Sequence, residues 1–459
     1  MLFNSLEFAV FFLAVFLAYR LLPMPGRKPL LLAASLWFYA AWDWRFLGLI
    51  LLSSGTDFLC GNFIDKEYRP RARKAWLIVS LAMNLGILGF FKYCNFFLAS
   101  FHEVFPHIPA PALRIILPVG ISFFTFQSMS YTMDIFRRRV QPVPALDFFL
   151  FVAFFPQLLS GPIVRASEFL PQLRGLPRLD WNEVAEGALL FARGFCKKVL
   201  LADLLAHFAD PVFARPEGFG ALECLLAVYA FAFQIYWDFS GYTDMARGCA
   251  LALGFRFPEN FDLPYLSASP REFWRRWHMT LSTWLRDYLY IGLGGDRHGR
   301  RAMLRNLFLT MALGGLWHGA NWTFVIWGCY HGALLVAQRL MPARATQGNF
   351  SDTLRRFKIL FTFHLVCLGW VFFRAESLGM AWRFLERLAS GSWAWHRNLG
   401  IAAAGLALCA AGQIVSGTIR SRPTAGLFWQ SAGLAATAAG VAMAFVYSTE
   451  SAPFLYFQF

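Results

Sequence analysis

Charge is scarce in this chain. Asp, Glu, Lys and Arg make up 15% of its 459 residues, against about 25% in an ordinary soluble domain, which excludes a solvated surface of normal extent. Short alternating strands of about 10 residues, the mark of a transmembrane β-barrel, are missing too, because the apolar stretches run on uninterrupted for much longer. The eight cysteines, at 60, 94, 196, 224, 249, 329, 367 and 409, contain no C-x-x-C pair; neither a disulfide framework nor a metal centre is indicated. There is no G-x-S-x-G elbow, no H-E-x-x-H helix and no P-loop, so the usual carriers of serine, zinc and nucleotide chemistry are absent.

What is present is apolar. Hydrophobic residues reach 58% and aromatics 18%, in runs that repeatedly exceed the ~20 residues needed to cross a bilayer. The fold class is therefore all-α, a polytopic transmembrane protein of about 11–13 spans or half-spans. Spans are expected near 6–23, 30–42, 46–64, 75–97, 115–136, 183–208, 221–250, 322–340, 357–373, 400–417 and 427–447. They form one integral-membrane domain, with a core at about 115–380. The net charge of +15 sits in short clusters between spans, as on cytoplasmic loops, and does not read as a nucleic-acid surface. Arg27-Lys28, Lys66–Lys74 and Arg137–Arg139 fall on the cytoplasmic side and the N-terminus outside. The first apolar run has no basic leader and no small-residue cleavage site, so it is expected to stay as a span.

Within these runs a few polar residues stand out. In Leu313-Gly-Gly-Leu-Trp317-His318-Gly-Ala-Asn321-Trp322 a histidine lies beside glycines between two apolar legs. An ionisable group at such depth costs at least ~2.5 kcal/mol when charged, so it marks a candidate functional site. The first leg, Leu307–Trp317, is only about 17 Å long, which puts His318 at a break inside the membrane. On the second leg Gly328-x-x-x-Gly332 permits close helix contact around His331. The segment from Phe155 to Arg165, with two prolines and a glycine, cannot be regular helix and has to be buried or interfacial. Asp238, Asp244 and Arg247 interrupt the 221–250 run; the last two are spaced to pair on one helical face. His364 reads as a satisfied core histidine.

Upstream, Ser269-Pro270-Arg271-Glu272 is a strong helix start. One continuous helix to about Tyr290 would place Arg271, Arg275, His278, Ser282 and Arg286 on one stripe and Trp274, Trp277, Leu281, Trp284 and Tyr288 on the adjacent face. Two readings stay open for it: an interfacial helix with its rings in lipid, or the lining of a cytoplasmic entrance whose cations meet an anionic substrate. Histidine chemistry is what remains, since a neutral imidazole in an apolar site can accept a proton from a hydroxyl. The enzyme reading competes with a proton-coupled transporter, which should show paired repeats that are not found, and with a haem protein using His318, His331 or His364.

Trp274-Arg-Arg-Trp-His278-Met-Thr-Leu-Ser-Thr-Trp-Leu-Arg-Asp-Tyr, followed by Gly-Gly-Leu-Trp-His318-Gly-Ala-Asn-Trp, resembles the membrane-bound O-acyltransferase superfamily. Within it the chain is most similar to the branch of the alginate O-acetyltransferase membrane subunit, with the teichoic-acid D-alanyl-transfer membrane protein as a sister. Phe155-Pro-Gln-Leu-Leu-Ser-Gly-Pro-Ile-Val-Arg165, Tyr236-Trp-Asp-Phe-Ser-Gly-Tyr-Thr-Asp-Met245 and Gly369-Trp-Val-Phe-Phe-Arg374 extend the likeness over nearly the full length. The resemblance implies His318 as the essential residue and His278 as the second catalytic position. It implies a ring of helices around a thinned centre, no permanently bound cofactor or metal, and acetyl-CoA or an acyl-carrier thioester as the donor. Arg271, Arg275, Arg286, Ser282 and Trp274 become candidates for donor binding; Trp317, Asn321, Asp238 and His331 for the pocket lining. The implied setting is a bacterial inner membrane, with a periplasmic acyltransferase and a polysaccharide as partners. D-alanyl transfer from a carrier protein is the alternative within the same family.

Overall fold

A computed structural model of the chain describes residues 1–108, 113–159, 161–177, 180–342, 351–394, 406–407, 413 and 454–455. All its regular elements are helical, with no strand among the described residues. Four helical stretches, Met24–Lys66, Pro70–Val104, Ala221–Ala252 and Asp352–Arg374, are long and apolar enough to cross a membrane. The expected spans at 400–417 and 427–447 lie almost wholly outside the described residues.

The chain divides into two compact units. One comprises Met1–Phe191 with Tyr242–Pro258, the other Ala192–Gly241 with Glu259–Phe459. In the first, the helix Leu6–Leu21 is capped by the Ser5 hydroxyl, which accepts from the Phe8 N–H at 3.2 Å. Phe8, Val15 and Tyr19 are buried, while Leu6, Val10, Leu13, Leu17 and Leu21 form an exposed stripe. An exposed face made of leucine and valine is the pattern that hydrocarbon favours and water opposes. The helix Ile121–Phe136 is the opposite case, buried on nearly all sides. Its Ser128 and Thr132 join Ser80 and Asn84 around the buried Asp57 carboxylate: Asn84 Nδ2 donates to both carboxylate oxygens at 2.8 and 2.9 Å, and Ser80 Oγ donates at 2.6 Å. Hydrogen bonds of this kind fasten helices where water is absent.

The proline-rich stretch after Ala153 forms a single turn, Phe155–Leu158, instead of a continued helix. Residues 155–159 and 161–164 are buried, as irregular backbone at membrane depth has to be. Asp244 and Arg247 do pair, at 3.6 Å.

In the second unit the helix Gly299–His318 lies against Trp322–Leu340. The two backbones approach so closely that a Cβ on Gly315 would stand 2.3 Å from the Phe324 carbonyl oxygen, and one on Gly328 would stand 2.4 Å from that of Met311. Glycine is required at both positions. The first leg is longer than the Leu307–Trp317 expected from the sequence: its 20 residues begin at Gly299 and take in Arg300, Arg301 and Arg305. The helix Asp352–Arg374 also carries an apolar stretch on its outside, with Phe357, Leu360, Phe361 and Leu368 exposed and Trp370 and Phe373 buried.

The amphipathic helix is the main departure. It is not continuous but splits into Pro270–Arg276, Met279–Trp284 and a π-helical turn Leu285–Tyr290. The start is as expected, with Ser269 Oγ accepting from Glu272 N–H at 3.2 Å. The break comes at His278, which takes a left-handed conformation with φ 41 and ψ 54. Tertiary hydrogen bonds outweigh local propensity here: the neighbouring segment supplies an Asp262 N–H to the Arg276 carbonyl and an Asn260 carbonyl to the Met279 N–H, both at 2.9 Å.

Candidate active site

Two chain breaks build the site. His278 sits at the first, held between two short helices. Asn260 fixes its ring: Asn260 Oδ1 accepts from Thr280 N–H at 3.2 Å and Thr280 Oγ at 2.9 Å, and faces His278 Nδ1 at 3.1 Å. An oxygen already accepting twice meets a donor on the third side, so Nδ1 carries the proton and the lone pair lies on Nε2. Ser282 Oγ donates to the Trp277 carbonyl at 3.2 Å. It therefore serves the break itself.

His318 ends the second break. It is the last residue of Gly299–His318, and Asn321 restarts the chain by accepting from Thr323 N–H at 3.0 Å while its own Nδ2 donates to the Glu376 carbonyl at 2.8 Å. The predicted break at His318 is thus present, and Asn321 shapes it as a helix cap.

These breaks bring the two histidines together, their ring centroids 6.4 Å apart. His278 is fully buried and His318 is 6% exposed. Aromatic rings wall them in. Phe239 stands 4.7 Å from the His278 ring, edge to face; Trp317, Trp327 and Phe373 stand 5.0, 5.1 and 5.3 Å from His318. Trp317 also reaches His278, at 6.3 Å. Behind Trp327 lies His331, at 4.9 Å, and Trp274 lies 5.2 Å from His331. An apolar wall of this kind keeps competing water out and strengthens every electrostatic contact inside it.

With that geometry in view, the matches to known proteins decide the family. A model of the membrane-bound O-acyltransferase family matches residues 116–382, which hold both histidines. The probable alginate O-acetylase of Azotobacter vinelandii is 44% identical over 400 residues, covering 86% of this chain and 79% of that protein. The chain belongs to the membrane-bound O-acyltransferase family. The peptidoglycan O-acetyltransferase of Helicobacter pylori is 38% identical over 420 residues, with 84% and 79% covered. The teichoic acid D-alanyltransferase of Bacillus subtilis is 27% identical over 313 residues, with 62% and 78% covered.

In this O-acyltransferase the remaining candidates divide. Arg271 and Arg275 are exposed on the first short helix, whose Arg271 N–H donates to Gln338 Oε1 at 3.0 Å. Partial burial, and then the charges of Arg275 and Arg339, push the Arg271 guanidinium below its ordinary pKa. Three cations near enough to repel one another make an anion-attracting patch. Arg286 does not belong to it. The split helix ends the five-residue stripe, and the Arg286 guanidinium is bound to Asp287 at 2.6 and 3.0 Å. Asp238 is engaged as well: Lys198 Nζ lies 2.7 Å from Oδ1, and the Leu455 N–H donates to Oδ2 at 2.9 Å.

Sequence reasoning missed Asn260, Arg339, Trp327 and Phe373. Asn260 and Phe373 are distant in sequence from the residues they serve. Arg339 could have been suspected as a cation in the last turn of its helix, and Trp327 sits four residues before His331 on one helical face.

Proposed function

We propose that this O-acyltransferase takes an acetyl group from a cytoplasmic thioester, acetyl-CoA in the first instance, and passes it across the membrane for O-acetylation of a cell-surface polysaccharide of the alginate type. The His278–His318 pair carries this reading. Its support is the separation of the rings, at which one substrate oxygen fits between two imidazoles, together with relatives named as O-acetylases. His318 takes the proton from the acceptor hydroxyl; the oxygen attacks the thioester carbonyl, the C–S bond breaks, and the departing thiolate recovers the proton. His278, with its lone pair on Nε2, accepts a hydrogen bond from the ring N–H of His318 and so orients it with its other nitrogen toward the hydroxyl. Polarising the thioester carbonyl would require a donor at Nε2, so of the two roles open to His278 we favour the orienting one.

The Arg271, Arg275 and Arg339 patch receives the donor's phosphates, because guanidinium matches phosphate in bidentate fashion. The setting is a bacterial inner membrane, and the outward product is handed to a periplasmic partner acyltransferase. Purified protein in detergent, given radiolabelled acetyl-CoA and a hydroxyl acceptor, should yield labelled ester with the wild type and none with His318→Ala. Equal product from both proteins would sink the assignment. Turnover only with an acyl-carrier thioester would shift the reading to the D-alanyl type.

A further inference from the structure

Behind His318 lies a set of polar groups that the reaction above leaves idle. Trp327 and Trp370 are 1% and 0% exposed, and His331 is 1% exposed. The indole Nε1 atoms of Trp274, Trp327 and Trp370, and Nε2 of His331, are sealed from solvent and have no hydrogen-bond partner. The four rings are contiguous. Trp274 and Trp370 lie 5.7 and 5.9 Å from Trp327, and His331 lies within 5.2 Å of both Trp274 and Trp327. Buried indole N–H groups ordinarily find an acceptor, and leaving one without it penalises the state that does so. Three such donors beside an unpaired imidazole nitrogen, in contact with the catalytic histidine through Trp327, call for a common cause.

We propose that the N–H groups of Trp274, Trp327 and Trp370 form a hydrogen-bonding subsite next to His318 for the neutral, oxygen-bearing part of a substrate. Indole only donates, so the bound portion presents acceptor oxygens. The ring neighbours of these tryptophans are phenyl, indole and imidazole groups, which disfavours a charged group there. Because the nitrogens are sealed in the resting state, the substrate reaches them by displacing the rings. It then makes hydrogen bonds that the resting state lacks, and the unpaired donors favour that occupied state.

Two sources share this chemistry: the amide-bearing arm of the thioester donor, and the hydroxyls of a sugar acceptor. The inference rests on the functional reading above. Its test measures binding by calorimetry in detergent with two probes, a non-transferable thioether analogue of acetyl-CoA and a mannuronate oligosaccharide. Trp327→Phe and Trp370→Phe keep an aromatic ring and remove the N–H; Trp274→Phe, at a half-buried position, guards against loss of the fold, which is checked by Tm. Each variant should bind one probe about fivefold more weakly, the equivalent of one neutral hydrogen bond. Weakening confined to the analogue assigns the subsite to the donor arm; weakening confined to the oligosaccharide assigns it to the acceptor. Unchanged binding in all three variants overturns the subsite alone, whereas a wild type that binds neither probe overturns the functional reading beneath it.

Discussion

His278 is doubly constrained, by its chemistry and by its backbone. A left-handed φ of 41 costs an ordinary side chain roughly 1 kcal/mol, while asparagine tolerates it. His278→Asn is therefore the clean variant: stability should change by less than about 1 kcal/mol in denaturant titration while kcat falls by ~10²-fold, the range of a lost proton-handling or orienting group. A variant that keeps wild-type kcat would remove the residue from the machinery. Asn260→Ala should reproduce part of that loss, since it frees the imidazole from its fixed tautomer. Arg275→Ala acts on a different quantity. It should raise the KM for the donor several-fold at low salt, with little effect on kcat, and raising the ionic strength should narrow the difference.

At the scale of elements, the site depends on two interruptions of helix that differ in how legible they were. The break at His318 follows from glycines beside a histidine and from Asn321, a good capping residue. The break at His278 has no such mark. Ser269 to Tyr290 reads as one amphipathic helix, and only the Asn260–Asp262 segment, which bonds across the gap, explains why it is not. Periodicity sees the chain locally and cannot see a distant strip of backbone that offers better partners. The first leg of the histidine hairpin likewise reads as Leu307–Trp317, although it begins at Gly299 and takes in Arg300, Arg301 and Arg305. That hairpin is vulnerable where its backbones touch: Gly315→Ala would drive a methyl group into the Phe324 carbonyl. Overpacking there should lower Tm, by an amount equivalent to about 1–3 kcal/mol, and reduce turnover with it. An unaltered Tm would mean that the close approach is not maintained in the membrane.

For the whole molecule, the governing fact is that two of its helices carry exposed apolar stripes. The Leu6 to Leu21 stripe and the outer face of Asp352–Arg374 have to be covered by lipid. Leu13→Lys should accordingly reduce the membrane-inserted yield, since a lysine at a span centre costs at least ~2.5 kcal/mol; normal insertion would show that this stripe does not face hydrocarbon. The class, helical and polytopic, followed directly from composition because every span has to satisfy its own backbone. The aromatic wall did not, because phenylalanine and tryptophan in a membrane protein look alike in sequence whether they meet lipid or a reacting group. That wall has a consequence for economy in the cell. An activated thioester bound beside an open histidine would be lost steadily to water; on the proposed reaction, one presented to a base enclosed by Trp317, Trp327 and Phe373 waits intact until a hydroxyl arrives. The enzyme should therefore idle in the absence of acceptor without draining its donor.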